Sequence, residues 1–542
     1  MRPHSFIECL WLLASLPLVL SQDSISYDLN TYGQGDAAGT PFQSYKSNTN
    51  VKPPQMQINS NGSGLAEGYV FLGINGEPTS GQNWPAIFDF STDRMGTLVW
   101  TGNYTEPFDF KTQTYKGQPV LTFWSGELLN GYGRGSFYIL NQSYAEIAHF
   151  QVNRFGENMG DIHEFEITAS DTAMIAIYHA IPFDLSASGG IQDGWLFENT
   201  IQEINIETGA LVFEWNASTH VGINESYNSL PEDVGRTQDA PWDYFHINSI
   251  EKDRNGDYIV SARHDARWLN DDQTRMTIFD NGPTDSVQYS RGLLLDVNQD
   301  AKTVKLIREF TNGAKTFAMF EGSLQAVDPS NESTNFIVGY GSQPYFAELN
   351  SNGDILLDVQ FGKTNAVNCY RAFKQPWQGK PSTKPDLLWD KEGNRAYFSW
   401  NGATDVETWE VYTANASDSK SWANITSARR TGFETTIDLS NMQVETFVRG
   451  KAVNSTGGAL AWSQASDGNR LYDAPDEVQE STNPSSTTSR SQPSSTSSRS
   501  QPSSTSAAPT SSSSAAAARQ TQGAMQQAYG AAVVAVGALV LI

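Results

Sequence analysis

Along most of the chain, apolar and polar residues alternate in short runs, and turn-forming pairs punctuate the runs. YVFLGINGEP from Tyr69, GTLVWTG from Gly96, PVLTFWSGE from Pro119 and GSFYIL from Gly135 show the pattern, as do ALVFEW from Ala210 and GLLLDV from Gly292. NFIVGYGS from Asn335 and AYFSWNG from Ala396 extend it toward the C-terminus. A period of two places one face of a strand on a core and the other toward solvent. Asn75-Gly76, Asn255-Gly256, Asn281-Gly282, Asn352-Gly353 and Glu392-Gly393 separate the runs, as hairpin turns do, because Asn and Gly accept a positive φ at little cost. The pattern predicts an all-β head over residues 22–472: a sandwich, a barrel or a propeller. At ~40–50 residues per four-stranded unit, its length favours a β-propeller of about six to eight blades.

Chemistry concentrates in one stretch, WDYFHINSIEKDRNGDYIVSARHDARW from Trp242 to Trp268, which holds two of the seven histidines. Asp253, Arg254, Asn255 and Gly256 predict a tight turn. The local reading is strand, turn, strand, with His246 on the first strand and Arg263–His264 ending the second. Two imidazoles and a guanidinium on one hairpin would suit an anion such as sulfate or phosphate. The alternative is that both rings are structural, hydrogen-bonded within a sheet.

Composition narrows the classes. A formal charge of -25 argues against nucleic acid as a partner. Aromatic residues make up 11% of the chain, which favours a large β-rich core. Cys9 falls in the leader, so Cys369 has no partner for an intramolecular disulfide. His149 and His163 flank an Asn/Gly-rich loop without the spacing of a metal site, so no metal is expected, and His179 reads as a core histidine. Asp280-Asn281-Gly282 reads as a turn rather than a calcium loop. No G-x-S-x-G elbow or phosphate-binding loop occurs.

The two ends have their own character. Residues 1–21 read as a secretory signal peptide: Arg2, an apolar run from Trp11 to Leu20, then small residues. Glycosylation sequons at Asn61, Asn103, Asn141, Asn216, Asn224, Asn331, Asn415, Asn424 and Asn454 agree with secretion. Residues 473–518 are rich in Ser, Thr and Pro, repeat SRSQPSSTS at Ser489 and Ser498, and read as a disordered O-glycosylated stalk. Residues 519–542 pair a polar spacer with the apolar tail AAVVAVGALVLI, as in a glycosylphosphatidylinositol (GPI) attachment signal. The expected product is a head on a stalk, lipid-tethered at the outer face of the plasma membrane or in the cell wall.

Several segments together resemble the arylsulfotransferase family, and its secreted fungal branch in particular. They are YKGQPVLTFWSGELLNGYGRGSFYIL from Tyr115, HEFEIT from His163, DGWLFENTIQEINIETGALVFEW from Asp193, YFHINSI from Tyr244 and YIVSAR from Tyr258. HDARW from His264, IFDNG from Ile278, YRAFKQPWQGKP from Tyr370 and SWNGATDVETWEVY from Ser399 continue the match. The resemblance implies a six-bladed propeller that moves a sulfuryl group from a phenolic sulfate donor to a phenol acceptor, with no cofactor or metal. It implies a sulfohistidine intermediate, with His264 as nucleophile, His246 and Arg263 beside it as catalytic residues, and His220 and Asn248 in substrate binding.

One departure stands out. In the family, the S-x-R-H and HDARW motifs lie a few dozen residues apart, whereas here SAR263 runs directly into His264. About one blade's worth of sequence, ~40 residues, is absent at that junction, and an incomplete propeller is expected. A second reading therefore stands beside the transferase: a catalytically silent propeller that binds cell-wall glycan or a protein partner.

Overall fold

The computed structural model of the chain describes residues 42–76, 84–226, 228–253, 255–282 and 287–476, with the backbone of 479–481 and 539–541. The expected signal peptide, most of the expected stalk and most of the expected attachment signal lie outside the described residues. The protein is all-β, with short 3-10 turns such as Ser186–Ser188 and no α-helix among the described residues.

Six sheets follow one another along the chain. In sheet 1, Tyr69–Gly76, Pro85–Asp89 and Thr97–Thr101 are joined by Val367–Gln375, which pairs with the first of them. Sheet 2 is the meander Pro107–Tyr115, Gln118–Leu128, Gly133–Leu140, Glu146–Phe150. Sheet 3 is Phe165–Ile167, Thr172–Phe183, Gly194–Asn205, Leu211–Asn216. Sheet 4 has two strands of its own, Ser249–Lys252 and Tyr258–Ser261, and a third from Leu539–Leu541. Sheet 5 is His264–Trp268, Arg275–Asp280, Arg291–Asn298, Thr303–Phe310. Sheet 6 is Ser323–Ala326, Phe336–Gly339, Tyr345–Leu349, Ile355–Gln360, with Gln57–Asn61 added at its outer edge.

Alternation along these strands buries apolar side chains between successive sheets. Phe71 and Ile87 of sheet 1 meet Phe110 and Phe123 of sheet 2. Phe137 and Ile139 of sheet 2 meet Ile175 and Ile177 of sheet 3. Tyr178 and Ile201 meet Ile250 and Val260 of sheet 4, and Ile259 meets Met276 and Leu293 of sheet 5. Phe279 meets Leu324 and Val338 of sheet 6, and Phe346 and Val359 return to Leu72 and Phe88 of sheet 1. The succession of apolar contacts thus comes back to its start, tied by the pairing of Val367–Gln375 with Tyr69–Gly76.

Beyond residue 385 the chain builds two more sheets, which bury Leu387, Trp389 and Phe398 of one against Trp409, Val411 and Val448 of the other. Asn401 fastens this pair to sheet 1: its Nδ2 donates to the Thr101 carbonyl (2.9 Å) and its Oδ1 accepts from the Thr101 N–H (3.0 Å). The second of these sheets takes a parallel strand, Gln479–Ser481, from the span expected to be stalk, so regular pairing runs past Tyr472.

The hairpin around Asp253–Gly256 forms, with Ser249 opposite Ser261 and Lys252 opposite Tyr258. Its ends differ from the expectation. His246 precedes the first strand, because its φ of 57° takes it out of extended backbone, and His264 opens the first strand of sheet 5 instead of closing the second strand of sheet 4.

Candidate active site

The first strands of sheets 2 to 6, with Val367–Gln375 of sheet 1, line the middle of the molecule, and here the backbone is repeatedly bent into the left-handed region. Asp109 (φ 54°), His246 (57°), Asp265 (52°) and Glu321 (63°) all adopt it. A non-glycine residue there costs on the order of 1–2 kcal/mol. Asp109 and Asp265 sit at register shifts of their strands, where a bulge re-aims a side chain. Such strain persists where surrounding structure holds it, and it clusters at functional sites.

One layer of this centre is a network of charges. Arg371, fully buried, donates from Nη1 to Asp109 Oδ1 (3.0 Å) and Glu164 Oε1 (3.1 Å), and from Nη2 to the carbonyls of His163 (3.0 Å) and Asn248 (2.7 Å). Lys111 Nζ meets Asp109 Oδ2 (2.8 Å) and Glu166 Oε1 (3.2 Å), while Arg267 meets Glu164 Oε2 (2.7 Å) and Asp265 Oδ1 (3.1 Å). Burial alone would raise the Glu164 pKa. The charges of Arg267, Arg371 and Lys111 overcome it and hold the carboxyl below its ordinary value. Every cation here is already matched by a carboxylate.

Against this layer stand two histidines, each oriented by an acid a few residues upstream. His163 Nδ1 lies 2.5 Å from Asp161 Oδ1, and His246 Nδ1 lies 2.5 Å from Asp243 Oδ2. Asp161 is itself fixed by the Gly133 N–H on its other oxygen (2.8 Å). The two rings meet edge to face, 4.8 Å between centroids, and Tyr178 packs on both, at 5.2 Å from His163 and 5.6 Å from His246. Tyr178 donates its hydroxyl to the Ile247 carbonyl and Tyr370 donates to that of His163, so both phenols are pinned as walls. His163 is 4% exposed. The His246 ring keeps 30% of its surface exposed. Burial pulls its pKa down, but the charge and hydrogen bond of Asp243, with Asp161 behind, outweigh burial and raise it. No hydrogen bond to either Nε2 is found among the described residues.

His264 lies in the field of these two rings but is held differently. Its Nδ1 meets Asn281 Oδ1 (2.7 Å), the Asn281 Nδ2 donates to the Glu321 carbonyl (2.9 Å), and the Glu321 N–H donates to His264 Nε2 (3.1 Å). This closed ring of hydrogen bonds fixes the tautomer with the proton on Nδ1 and engages the lone pair on Nε2. Burial, with the charges of His246 and His163, holds its pKa well below the imidazole value. Glu321 carries a buried carboxyl oxygen without a hydrogen-bond partner, and burial pushes its pKa up to about 8.

The other residues singled out by sequence are scattered. Arg263 donates to Asp280 Oδ1 (2.8 Å), a carboxylate it shares with Arg291. Asn248 donates to the Ala262 carbonyl (2.8 Å), while its Oδ1 is buried without a partner. His220 is exposed, stacks on Trp215 at 5.2 Å, and hydrogen-bonds Thr219 and the Asn216 carbonyl, apart from the pair. His179 packs on Phe155 and His149 on Tyr138. An open groove of about 880 Å³ between Tyr115, His149, Ile206 and Lys380 touches none of the residues around the histidine pair. From sequence His163 is weighed only against metal ligation and is left out of the site. The signal available was its acid two positions upstream, as Asp243 stands three upstream of His246.

The arylsulfotransferase (ASST) family model matches residues 111–267 and 263–362, two segments that overlap over 263–267, across the Arg263–His264 junction. Residues 111–362 belong to the arylsulfotransferase family. Both paired histidines, the ion network's Lys111, Glu164 and Arg267, and the His264–Asn281–Glu321 ring fall inside the arylsulfotransferase match, whereas Arg371 and the last two sheets lie beyond it. Comparison with curated proteins found no match. Among solved structures, a functionally unknown protein from Desulfotomaculum acetoxidans DSM 771 aligns at 10% identity over 76% of this chain and 100% of its own, with a TM-score of 0.18. Sucrose-6-phosphate hydrolase from Lactobacillus gasseri aligns at 9% identity over 82% and 90%, with a TM-score of 0.25. An auxiliary nutrient binding protein from Bacteroides ovatus ATCC 8483 aligns at 9% over 64% and 74%, with a TM-score of 0.21. Superpositions this loose carry no argument about this arylsulfotransferase-like chain.

Proposed function

We propose that the chain is a secreted, surface-tethered sulfuryl transferase that works through the His246–His163 pair. The observation that carries this reading is the pair itself: two imidazoles in ring contact, each with Nδ1 on its own carboxylate. A carboxylate on Nδ1 fixes the tautomer that leaves the Nε2 lone pair available, and it steadies positive charge on the ring. In the first half-reaction, His246 Nε2 attacks sulfur, the S–O bond to the donor phenol breaks, and His163 in its protonated form gives a proton to the leaving phenolate. In the second half-reaction, an acceptor phenol gives its proton to the now neutral His163. Its oxygen takes the sulfuryl group, the S–N bond breaks, and both rings return to their starting state. His264, held on both nitrogens, serves to place Glu321. No metal, cofactor or nucleotide donor is invoked.

The reading treats sheets 1 to 6 as six blades of a propeller, sheet 4 being the incomplete one. The circular run of apolar contacts and the mixed-terminus sheet 1 support it. Tethering rests on sequence: the leader 1–21, the stalk and the tail. The sequon residues Asn103, Asn224, Asn331, Asn415 and Asn424 are exposed, as glycan attachment requires.

A silent propeller that binds glycan or a protein partner is favoured by one specific observation. Arg263, Arg267, Arg371 and Lys111 each already face a carboxylate, which takes up the charge a sulfuryl group would use. A nitrophenyl sulfate assay separates the two. The transferase releases nitrophenol continuously with an acceptor phenol and stops at one equivalent without it. No release with any phenol would leave the silent reading standing.

A further inference from the structure

Sheet 4 is the place where the fold is short of strands. Its neighbours, sheets 3 and 5, each have four, yet between them the chain supplies only Ser249–Lys252 and Tyr258–Ser261 before passing at His264 into sheet 5. The outer edge of Tyr258–Ser261 therefore faces a notch whose walls are the outer strands of sheets 3 and 5. Those walls remain apolar and incompletely covered. Phe213 is half-buried and stacks on Tyr258 at 4.4 Å, while Val304 and Leu306 are half-buried against the cluster of Ile259, Leu293 and Val297. An unpaired edge beside apolar walls invites another strand.

The chain itself provides one. Leu539–Leu541 runs antiparallel to the edge, with Leu539 opposite Ser261, Val540 opposite Val260 and Leu541 opposite Ile259. This segment belongs to a tail without charged residues, AAVVAVGALVLI, so pairing it beside apolar walls carries no cost of burying a charge. We propose that the outer edge of Tyr258–Ser261 is a strand-accepting site for short apolar segments, and that in the uncleaved chain its occupant is this chain's own C-terminal tail. Main-chain hydrogen bonds supply the pairing, and the apolar walls select against charged strands. The inference does not rest on the sulfuryl-transfer reading. Should the tail be cleaved when an anchor is attached, the edge would be vacated and left able to bind a peptide of the same kind.

Hydrogen exchange on the intact chain tests it, against a chain ending at Ala538 and a full-length Val540→Pro variant. The amides of Ile259–Ser261 should exchange at least ~10-fold faster in both altered chains, with Ser249–Lys252 unchanged. A labelled peptide GALVLI, with lysines appended for solubility, should bind the shortened chain saturably and restore protection. It should bind the intact chain at least ~10-fold more weakly, because the site is already filled. Equal exchange in all three chains overturns the proposal. So does a loss of protection spread evenly over every sheet, which would make the tail a general stabiliser and not a strand on this edge. If the shortened chain fails to fold, Val540→Pro with and without peptide decides alone: no gain in protection on adding peptide overturns it.

Discussion

The ring of His163 stands edge-on to that of His246, 82° between planes, and each is steered from its Nδ1 side by a carboxylate close to it in sequence. Two rings so placed can divide the work of nucleophile and proton carrier. His246→Ala and His163→Ala should each lower sulfuryl transfer by about 10³-fold or more. The double variant should fall no further than the worse single one, since residues that act as a unit are not additive. Additive losses in steady-state kinetics would count against the pair.

Asp243→Asn probes the charge behind His246. Turnover should fall by roughly 10²–10⁴-fold. Stability should respond with a definite sign. A histidine whose pKa is raised in the folded state contributes stability below about pH 6.5, and that contribution is lost as pH rises through the folded value. The gap in urea midpoint between the native chain and Asp243→Asn should accordingly be wide at pH 5.5 and close by pH 9. A gap that widens with pH would contradict the ion pair.

Glu321 predicts the opposite kind of variant, one that stabilises. Its carboxyl is pushed up to about 8 by burial, so ionising it costs folding energy, and that cost grows from about pH 4.5 upward through 8. Glu321→Gln has nearly the same shape and no charge to bury. It should raise stability at pH 8 by on the order of 1–3 kcal/mol and change little at pH 4. Thermal or urea melts at the two pH values decide it.

Arg371→Met should be among the most damaging changes in the chain. It leaves Asp109 and Glu164 buried with one cation fewer, a loss of about 3–5 kcal/mol by the usual cost of breaking a buried pair. Arg371→Lys should recover little, because an ammonium cannot span two carboxylates and two carbonyls at once. Urea denaturation at neutral pH reads both.

The strands were legible because alternation is a local property. GTLVWTG became Thr97–Thr101, and PVLTFWSGE lies within Gln118–Leu128. The hairpin at Asn255-Gly256 was legible for the same reason. The centre was not, because its geometry depends on left-handed residues that sequence does not announce. His246 reads as a strand position, yet its φ of 57° turns it out of the ladder toward Asp243. His264 reads as a free imidazole because nothing local reveals Asn281 and Glu321, which arrive from sheet 5 and the approach to sheet 6. Arg371 lies inside YRAFKQPWQGKP, a segment read for its resemblance and given no chemical role, although it ties together four of the central strands or their approaches. The two sheets after residue 385 alternate like those before them, and alternation does not say which core a strand joins.

Sheet 4, with only two strands of its own between sheets 3 and 5, also bears on how such a chain can change length. In an antiparallel meander every strand reverses direction, so the second strand ends at the same rim as the fourth. Gain or loss of strands in twos between Ser261 and His264 leaves the exit point and heading of the chain as they were, and sheet 5 starts in its proper place. A single strand gained or lost would send the chain out at the opposite rim. Parity, more than size, is then the rule for which insertions and deletions this architecture survives. In sheets 2 to 6 the strands nearest the histidines come first, so pruning from the outside spares the chemistry and charges its cost to an exposed edge.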